Sequence, residues 1–296
     1  MLTRVGERQG RHLVHSADGV RGVTAPQRAP AEQPSKVPPE RTDAYEAVPN
    51  SVLGKARLII EAFGSHEQSL SLRDLVERTG VSKPSAYRLC ADLIEWGLIE
   101  RAGTRYRLGL RLFELGQRVP RQRLLRDAAL PWLEDLYTAT GETVHCAVLD
   151  GREVVYVEKI SGHRDVAWPS HVAGRMPLHC TATGKVILAF SPPTLLEEVL
   201  RHGLRRRTPH TTVSPHLLRT QLEHAGREGY AVEIEETRLG HMSVSVPVFG
   251  LHDVLAGAIS VTSTPCSSKR VARYLPSLRH AAAGTGMALR AGAPRD

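Results

Sequence analysis

The chain has 296 residues, of which 41% are apolar and 24% are charged. This composition supplies ordinary hydrophobic cores for about two domains and excludes a wholly disordered chain. Since no apolar stretch approaches the ~20 residues of a membrane-spanning helix, we expect a soluble protein without a membrane partner. The net charge of +8 and the pI near 9.6 favour a polyanionic partner.

The four cysteines, Cys90, Cys146, Cys180 and Cys266, lie far apart and show no CxxC spacing. This pattern argues against a disulfide framework and fits a reducing cytoplasm. Residues 1–50 lack the apolar core of an export signal and carry scattered prolines, glutamines and mixed charges. We therefore predict a cytoplasmic protein whose residues 1–50 form a disordered tail.

Three short helices are predicted after the tail. Apolar residues recur at helical spacing from Ser51 and stop at Gly64. A second helix begins at Ser71, a suitable N-cap, and ends at Gly80. A third helix has Pro84 in its first turn, where proline is well tolerated, and its outward face is polar and partly basic.

A β-hairpin follows the third helix, because two short β-like runs, 98–100 and 105–108, flank Ala102-Gly103. Three helices and a hairpin make a winged helix-turn-helix, which we assign to residues 51–109. In this motif one helix reads base edges in the major groove, while flanking cations contact phosphates. The alternative is a module that packs against the rest of the chain and leaves its arginines on a solvated face. The candidate DNA-binding residues are Ser82, Lys83, Ser85, Tyr87, Arg88, Arg101, Arg105 and Arg107.

The second half of the chain alternates β-rich runs with helical stretches, the last of which is predicted from Ser267 to Leu289. Strands grouped into a mostly antiparallel sheet with flanking helices predict an α+β domain over residues 126–296. Residues 110–125 carry charges on one side and apolar residues on the other, and they form the predicted linker helix. The β-rich runs are 143–149, 154–160, 230–234, 243–249 and 255–262.

Both halves resemble the IclR family of bacterial transcription regulators. In the first half the similarity lies in residues 81–89 (VSKPSAYRL), 96–98 (WGL) and 106–109 (YRLG). In the second half, residues 174–185 (GRMPLHCTATGK) match the effector-domain signature of the family, and residues 229–240 follow its pattern at Gly-Tyr-Ala, Glu-Glu and Gly. The resemblance implies a GAF-like antiparallel-sheet effector domain after the winged helix.

Two His-Cys pairs raise an enzymatic or metal-binding alternative. His145-Cys146 and His179-Cys180 could form a nucleophile system or, together, a zinc site. Adjacent residues on an extended strand point to opposite faces, so each pair could place only one member in a common pocket. Packed cysteines and hydrogen-bonded histidines are the ordinary alternative. We therefore predict no catalytic residue, no bound metal and no cofactor.

Small polar residues inside apolar β-runs indicate a ligand pocket. Ser243 and Ser245 share one face of a strand, as do Ser260 and Thr262. Buried hydroxyls need partners, which either neighbouring backbone or a bound polar ligand supplies. The family resemblance implies that effector-binding positions fall on Ala182, Thr183, Glu233, Ser243, Ser260 and Thr262. Family members that bind small carboxylates commonly have Asp and Cys where this chain has Glu233 and Ser243.

The sequence therefore predicts a DNA-binding transcriptional regulator, a repressor or an activator, whose operator binding is modulated by a small-molecule effector. Free N–H groups near Thr183 and Gly184 favour an anionic or carbonyl-bearing group, and Glu233 favours a hydroxyl or amine donor. We expect a small organic acid or aromatic acid. The alternatives are a DNA-binding protein whose C-terminal half only dimerises, and a metabolic enzyme with a DNA-binding appendage.

A single winged helix buries too little surface for tight specific binding. We therefore expect a homodimer or tetramer on double-stranded DNA, with half-sites of a pseudo-palindromic operator about one helical turn or a multiple apart. The apolar side of residues 110–125 is the predicted contact between copies.

Overall fold

The computed structural model describes residues 51–64, 67–161, 170–264 and 270–292. The predicted tail and Cys266 lie outside these ranges, as do residues 267–269 of a helical stretch predicted from Ser267 to Leu289. Within them, no helix has the length and hydropathy needed to cross a membrane.

The N-terminal part consists of three helices and a three-stranded antiparallel sheet of order β1-β3-β2. This arrangement confirms the predicted winged helix-turn-helix. The two-residue strand β1, which pairs with β3, was not predicted. The elements are α1 (Val52–Glu61), β1 (Leu70–Ser71), α2 (Leu72–Thr79), α3 (Lys83–Glu95), β2 (Ile99–Ala102) and β3 (Arg105–Leu108).

Local side-chain chemistry explains where α2 begins and ends. The Ser71 hydroxyl accepts a hydrogen bond from the Asp74 N–H (3.1 Å), and the Asp74 carboxylate accepts one from the Ser71 N–H (2.8 Å). These reciprocal bonds form a capping box. Gly80 ends the helix with φ of +67°, a conformation that costs glycine little. Buried Ile59, Leu75 and Leu93 then hold α1, α2 and α3 around one small core.

The predicted single linker helix over residues 110–125 is wrong, because the chain forms two helices there. Helix α4 spans Leu110–Gly116 and α5 spans Pro120–Thr140. Proline restricts the residue before it to extended backbone, and Val119 has φ −71° and ψ 107°. Pro120 therefore starts a new helix, which continues well beyond residue 125.

The C-terminal part is built on a six-stranded antiparallel sheet of order β6-β5-β4-β9-β8-β7. All five predicted strands are present, and the three-residue strand β6 adds a sixth. The strands are β4 (Thr143–Asp150), β5 (Glu153–Ile160), β6 (Arg175–Pro177), β7 (Ala231–Ile234), β8 (Met242–Phe249) and β9 (Leu255–Ser263). The helices are α6 (Ala182–Ala189), α7 (Pro193–His202), α8 (Pro215–Glu228) and α9 (Val271–Ala291).

The two faces of this sheet carry different side chains. One face packs Val144, Val244 and Ile259 against α5 and α9 in a mainly apolar core, and Glu158 beside it pairs with Arg126 of α5. The other face packs against α6, α7 and α8 through a second apolar cluster that includes Tyr156 and Ala258. Between the apolar residues of the second face runs a set of buried polar side chains, which forms the candidate site.

Candidate functional site

Cross-strand pairing brings the predicted polar residues of the sheet together. Ser243 on β8 lies opposite Glu233 on β7 and opposite Thr262 on β9. Ser260 lies opposite Ser245 on β8 and His145 on β4. Because side chains alternate along each strand, these residues point to the same face. All of them are buried.

Glu233 is the most enclosed carboxylate of this face, with a relative exposure of 1%. It accepts hydrogen bonds from the Glu236 N–H (3.0 Å), the Thr237 hydroxyl (3.2 Å) and the Ser243 hydroxyl (3.1 Å). Burial raises the pKa of Glu233 to about 7, although the Glu236 N–H favours the ionised form. The carboxyl group therefore titrates near neutral pH.

A buried ion pair lies next to Glu233. Lys185 on α6 donates to the carboxylate of Glu236, and both side chains are almost completely buried. The second oxygen of Glu236 accepts a hydrogen bond from the Thr212 N–H (3.1 Å). Sequence reasoning did not identify this pair, because its members are 51 positions apart.

The N-terminus of α6 faces the sheet. Thr181 caps the helix by accepting a hydrogen bond from the Gly184 N–H (3.0 Å) and donates to the Pro177 carbonyl (2.8 Å). A Cβ atom at position 184 would lie 2.3 Å from the Leu178 carbonyl oxygen, so this close approach requires glycine. The signature segment thus holds Thr183 against the sheet.

The hydroxyl of Thr183 is buried and forms no hydrogen bond of normal geometry with any residue that the structure describes. It nevertheless lies close enough to the Tyr156 hydroxyl to favour the ionised form of that group, while burial dominates and raises the pKa of Tyr156. A buried hydroxyl without a full partner is unusual and is suited to a ligand contact.

A small cavity opens between these groups. The space that admits the centre of a water molecule is about 10 Å³, which is close to the requirement of a single water. Five of the six predicted effector residues line the cavity. The sixth, Thr262, does not line it, but its hydroxyl lies 2.8 Å from that of the lining residue Ser243. The lining residues are Tyr156, Met176, Thr181, Ala182, Thr183, Glu233, Thr237, Ser243 and Ser260.

Sequence reasoning missed Tyr156, Met176, Thr181 and Thr237 as lining residues. Tyr156 sits in an apolar β-run that suits core packing equally well, so the sequence alone carries no signal for it. Thr181 lies within the recognised signature and was identifiable from it.

A larger groove of about 310 Å³ lies between β8 and α9. It contains none of the predicted effector residues. Its lining consists of small and apolar residues together with the exposed Asp253, Arg279 and Arg290. We assign the site to the smaller cavity, because of the two it is the one lined by buried polar groups, among them the Thr183 hydroxyl, which forms no hydrogen bond of normal geometry within the described ranges.

The His-Cys pairs do not form a reactive centre in the described part of the chain. Cys146 packs into the apolar core behind the sheet, whereas His145 lies on the other face with its Nε2 2.7 Å from the Ser170 hydroxyl. His179 Nε2 lies 3.0 Å from the Arg205 carbonyl oxygen. Burial raises the pKa of both thiols, Cys146 and Cys180, to about 12, so neither is a thiolate near neutral pH. No cluster with metal-ligand composition occurs among the residues described.

The DNA-binding candidates on α3 are mostly at the surface. Ser82, Lys83 and Arg88 are exposed, and Tyr87 has a relative exposure of 55% although it is aromatic. Ser85 is half-buried and its hydroxyl accepts a hydrogen bond from Ser82 (3.0 Å). The N-terminal turns of α3 therefore present polar and cationic groups to solvent.

The three arginines of the hairpin differ in their contacts. Arg105 donates to the hydroxyl and the carbonyl of Ser69 and lies 3.2 Å from Asp74, so it supports the start of α2. Arg107 forms an ion pair with Glu100 (2.6 Å). The guanidinium of Arg101 lies 5.6 Å from the centre of the Tyr106 ring. Within the residues that the structure describes, Arg101 is thus the hairpin arginine that forms no ion pair with a carboxylate.

Two protein-family models match the chain. The IclR helix-turn-helix domain matches residues 52–103, and the C-terminal domain of bacterial IclR transcriptional regulators matches residues 117–285. Among curated proteins, the HTH-type transcriptional regulator XynR of Escherichia coli (strain K12) is 33% identical over 212 residues, which are 71% of this chain and 84% of that relative.

Solved structures agree with the family models. An IclR homolog from Microbacterium hydrocarbonoxydans, crystallised with 4-hydroxybenzoate, has a TM-score of 0.77 and 31% identity, with coverage of 82% of this chain and 100% of the other. The IclR of Thermotoga maritima has a TM-score of 0.68 and 32% identity, with coverage of 80% and 98%.

Proposed function

The chain belongs to the IclR family of bacterial transcriptional regulators, and from that premise we propose that its effector is a small hydroxylated organic acid bound in the polar cavity. The protein is a DNA-binding regulator whose activity responds to a small-molecule effector.

The observation that carries the proposal is the opposite polarity of the two sides of the cavity. On one side, the start of α6 offers backbone N–H groups and the Thr183 hydroxyl, which suit a carboxylate. On the other side, Glu233 and the serine hydroxyls of the sheet suit a hydroxyl group. Tyr156 and Met176 supply apolar walls for the body of the ligand.

The ligand of the Microbacterium hydrocarbonoxydans relative, 4-hydroxybenzoate, has this combination of groups. It is therefore the natural first probe. Since the cavity holds about one water, binding of a benzoate requires its walls to separate. Because the ligand binds the opened conformation and not the closed one, effector binding favours a different conformation of the protein, as allosteric control requires.

Calorimetric titration with 4-hydroxybenzoate tests the site. Ser260→Ala and Thr183→Val each remove one hydroxyl from the cavity and should weaken binding about 5-fold to 100-fold, since an unpaired partner costs ~1–3 kcal/mol. Ser245→Ala is the matched control, because Ser245 is equally buried on the same face but does not line the cavity. Equal affinities in all four proteins would place the ligand elsewhere. Absence of saturable binding would favour a C-terminal half that only dimerises.

For DNA, we assign base reading to the start of α3 and phosphate contacts to Lys83 and the hairpin. Arg88→Ala and Tyr87→Ala should relax sequence preference, each base contact contributing ~1–3 kcal/mol. Arg101→Ala should weaken binding to all DNA sequences. It should also reduce the slope of log affinity against log salt concentration by about one. Arg105 is a poorer test, because its contacts with Ser69 and Asp74 also hold α2.

Gel-shift titrations at several salt concentrations measure both effects. Arg73→Ala is the control, since Arg73 is an exposed arginine on α2 whose guanidinium pairs with Glu77. Unchanged operator affinity in the Arg88, Tyr87 and Arg101 variants would contradict the assignment.

We assign DNA binding to residues 51–109, effector binding to residues 126–296 and the connection to residues 110–125. The protein acts as a non-enzymatic regulator in the cytoplasm, where bacterial DNA is found. Leu110 and Phe113 are three positions apart on α4 and are 70% and 62% exposed, so they share one helix face. This apolar face supports a homodimer on a pseudo-palindromic operator, and Phe113→Asp should shift the species seen in light scattering towards monomer.

A further inference from the structure

We propose that the cavity takes up its organic acid together with one proton, and that Glu233 receives the proton. The proposal rests on the function proposed above and adds a second component, a hydrogen ion, to what the site binds.

Charge balance around the cavity is the first argument. The side chains that act electrostatically on Glu233 or on the neighbouring Tyr156 and Cys180 groups include two cations, Lys185 and Arg207, and one further carboxylate, Glu236. The Tyr156 hydroxyl and the Cys180 thiol are neutral, since burial raises the pKa of both. With Glu233 ionised, two cations balance two carboxylates.

An incoming carboxylate adds one uncompensated negative charge to this set. Lys185 already pairs with Glu236 in the buried ion pair. His179, which also acts on this group of residues, does not supply the missing charge, because burial lowers its pKa. The other buried histidine of this face, His145, lies against the Tyr156 ring with its Nε2 2.7 Å from the Ser170 hydroxyl. Two carboxylates in one enclosed site share a proton more readily than they both ionise. Protonation of Glu233 restores the balance that existed before the ligand entered.

The hydrogen bonds of Glu233 can accommodate the added proton. Oε1 contacts two hydroxyls, those of Thr237 and Ser243, and a hydroxyl can either donate or accept. The Ser243 hydroxyl lies 2.8 Å from that of Thr262, and either can be the donor. When Oε1 of Glu233 carries a proton, the carboxyl O–H can donate a hydrogen bond to the Ser243 hydroxyl. Ser243 can then donate its own hydrogen to the Thr262 hydroxyl. The backbone N–H of Glu236 keeps its bond to Oε2 in both states.

The step is a transfer of one hydrogen ion from buffer or solvent to a carboxylate oxygen of Glu233, and the effector stays an anion. Burial already raises the pKa of Glu233 to about 7 without a ligand. At pH 8 the group is mostly ionised and must gain a proton on binding. At pH 6 it is mostly protonated, so binding should require much less proton uptake.

The experiment is calorimetry of the full chain with 4-hydroxybenzoate in buffers that differ in ionisation enthalpy, at pH 6 and pH 8. We expect uptake of about one proton per ligand at pH 8 and much less at pH 6, with affinity falling up to about tenfold per pH unit above pH 7. The same titrations with benzoate serve as a control, because benzoate lacks the phenol group and has no group that titrates between pH 6 and pH 8.

Glu233→Gln should abolish proton uptake and make affinity independent of pH, since an amide resembles the protonated carboxyl group. Glu235→Gln is the matched control: Glu235 is a neighbouring carboxylate whose oxygens accept from the Gly240 N–H (2.6 Å) and lie 3.6 Å from His210, and it does not line the cavity. It should behave as the wild type does.

Binding to the wild type without proton uptake at pH 8 would overturn the proposal and leave the effector site intact. Equal uptake in Glu233→Gln would assign the proton to another group. If neither acid binds, the proposed effector class and the proton coupling are both wrong.

Discussion

The two faces of the six-stranded sheet use the same strands for different purposes. On β9, Ile259 and Val261 enter the apolar core against α5 and α9, whereas Ser260 and Thr262 point to the opposite face. The first face holds one buried carboxylate near its edge, Glu158, which pairs with Arg126 of α5, while the second encloses Glu233 and the Lys185–Glu236 pair. The apolar face can hold the sheet in place, and the polar face can then carry groups that prefer a ligand.

The comparison of the two faces shows how a small domain can contain buried polar groups and remain stable. A buried polar group without a partner costs about 1–3 kcal/mol, and a buried charge without a partner costs more. The polar face limits these costs with internal partners, since Glu233 and Glu236 each accept more than one hydrogen bond. Removal of one partner should therefore reveal which groups serve the fold and which serve the ligand.

The largest effect is expected on the polar face, at the buried ion pair. Lys185→Met leaves the Glu236 carboxylate enclosed without its cation and should lower the free energy of unfolding by about 3–5 kcal/mol. The double variant Lys185→Met/Glu236→Gln should recover part of the loss, because the amide oxygen can still accept from the Thr212 N–H. Denaturant unfolding of the three proteins measures this, and a single variant as stable as the wild type would contradict it.

Adjacent substitutions on β9 compare the two faces directly. Ile259→Ala opens a cavity in the apolar core and should cost about 2–5 kcal/mol of unfolding free energy. Ser260→Ala, one position further, should cost about 1 kcal/mol or less. Both side chains are almost completely buried, so equal losses would mean that the faces do not differ in their contribution to stability.

The pH dependence of stability tests Glu233 without any ligand. The folded-state pKa is raised to about 7, whereas an unfolded glutamate titrates near ~4.3. The folded state therefore binds the proton more tightly, and the stability from this group is fully present below pH ~4.3 and is lost as the pH rises through about 7. The slope is at most about 1.4 kcal/mol per pH unit.

Urea unfolding of the wild type and of Glu233→Gln between pH 5 and pH 8 isolates this contribution. The free-energy difference between the two proteins should shift in favour of the Gln variant as the pH rises. A constant difference across that range would show that Glu233 titrates as an ordinary glutamate.

The smallest effect on effector binding is expected at Ser245, whose hydroxyl bonds within the sheet and not towards the cavity. Its hydroxyl donates to the Ile259 carbonyl (2.9 Å) and does not line the cavity. Ser245→Ala should lower the unfolding free energy by about 1 kcal/mol and leave effector affinity unchanged. Calorimetry that detected weaker binding would extend the site beyond the residues proposed here.

Local patterns in the sequence predicted most elements of the fold. The capping residues of α2, the proline of α3 and the alternation of β8 and β9 act between neighbours in the chain, so they are visible without the tertiary structure. The break between α4 and α5 was also a local signal, because Pro120 begins a helix more readily than it continues one. The apolar pattern of residues 110–125 runs across this break and favours a single helix.

The sequence by itself determined the architecture, the family resemblance and the small polar residues of the sheet, since periodicity, capping and motif words are properties of short segments. Only the folded chain shows that Tyr156 and Met176 line the cavity, that Lys185 reaches Glu236, and that Arg105 contacts Ser69. These outcomes depend on contacts between residues that are far apart in the chain. Arg105 and Asp74 are 31 positions apart, and Lys185 and Glu236 are 51 positions apart. Folding brings such residues together through cores that no single segment encodes.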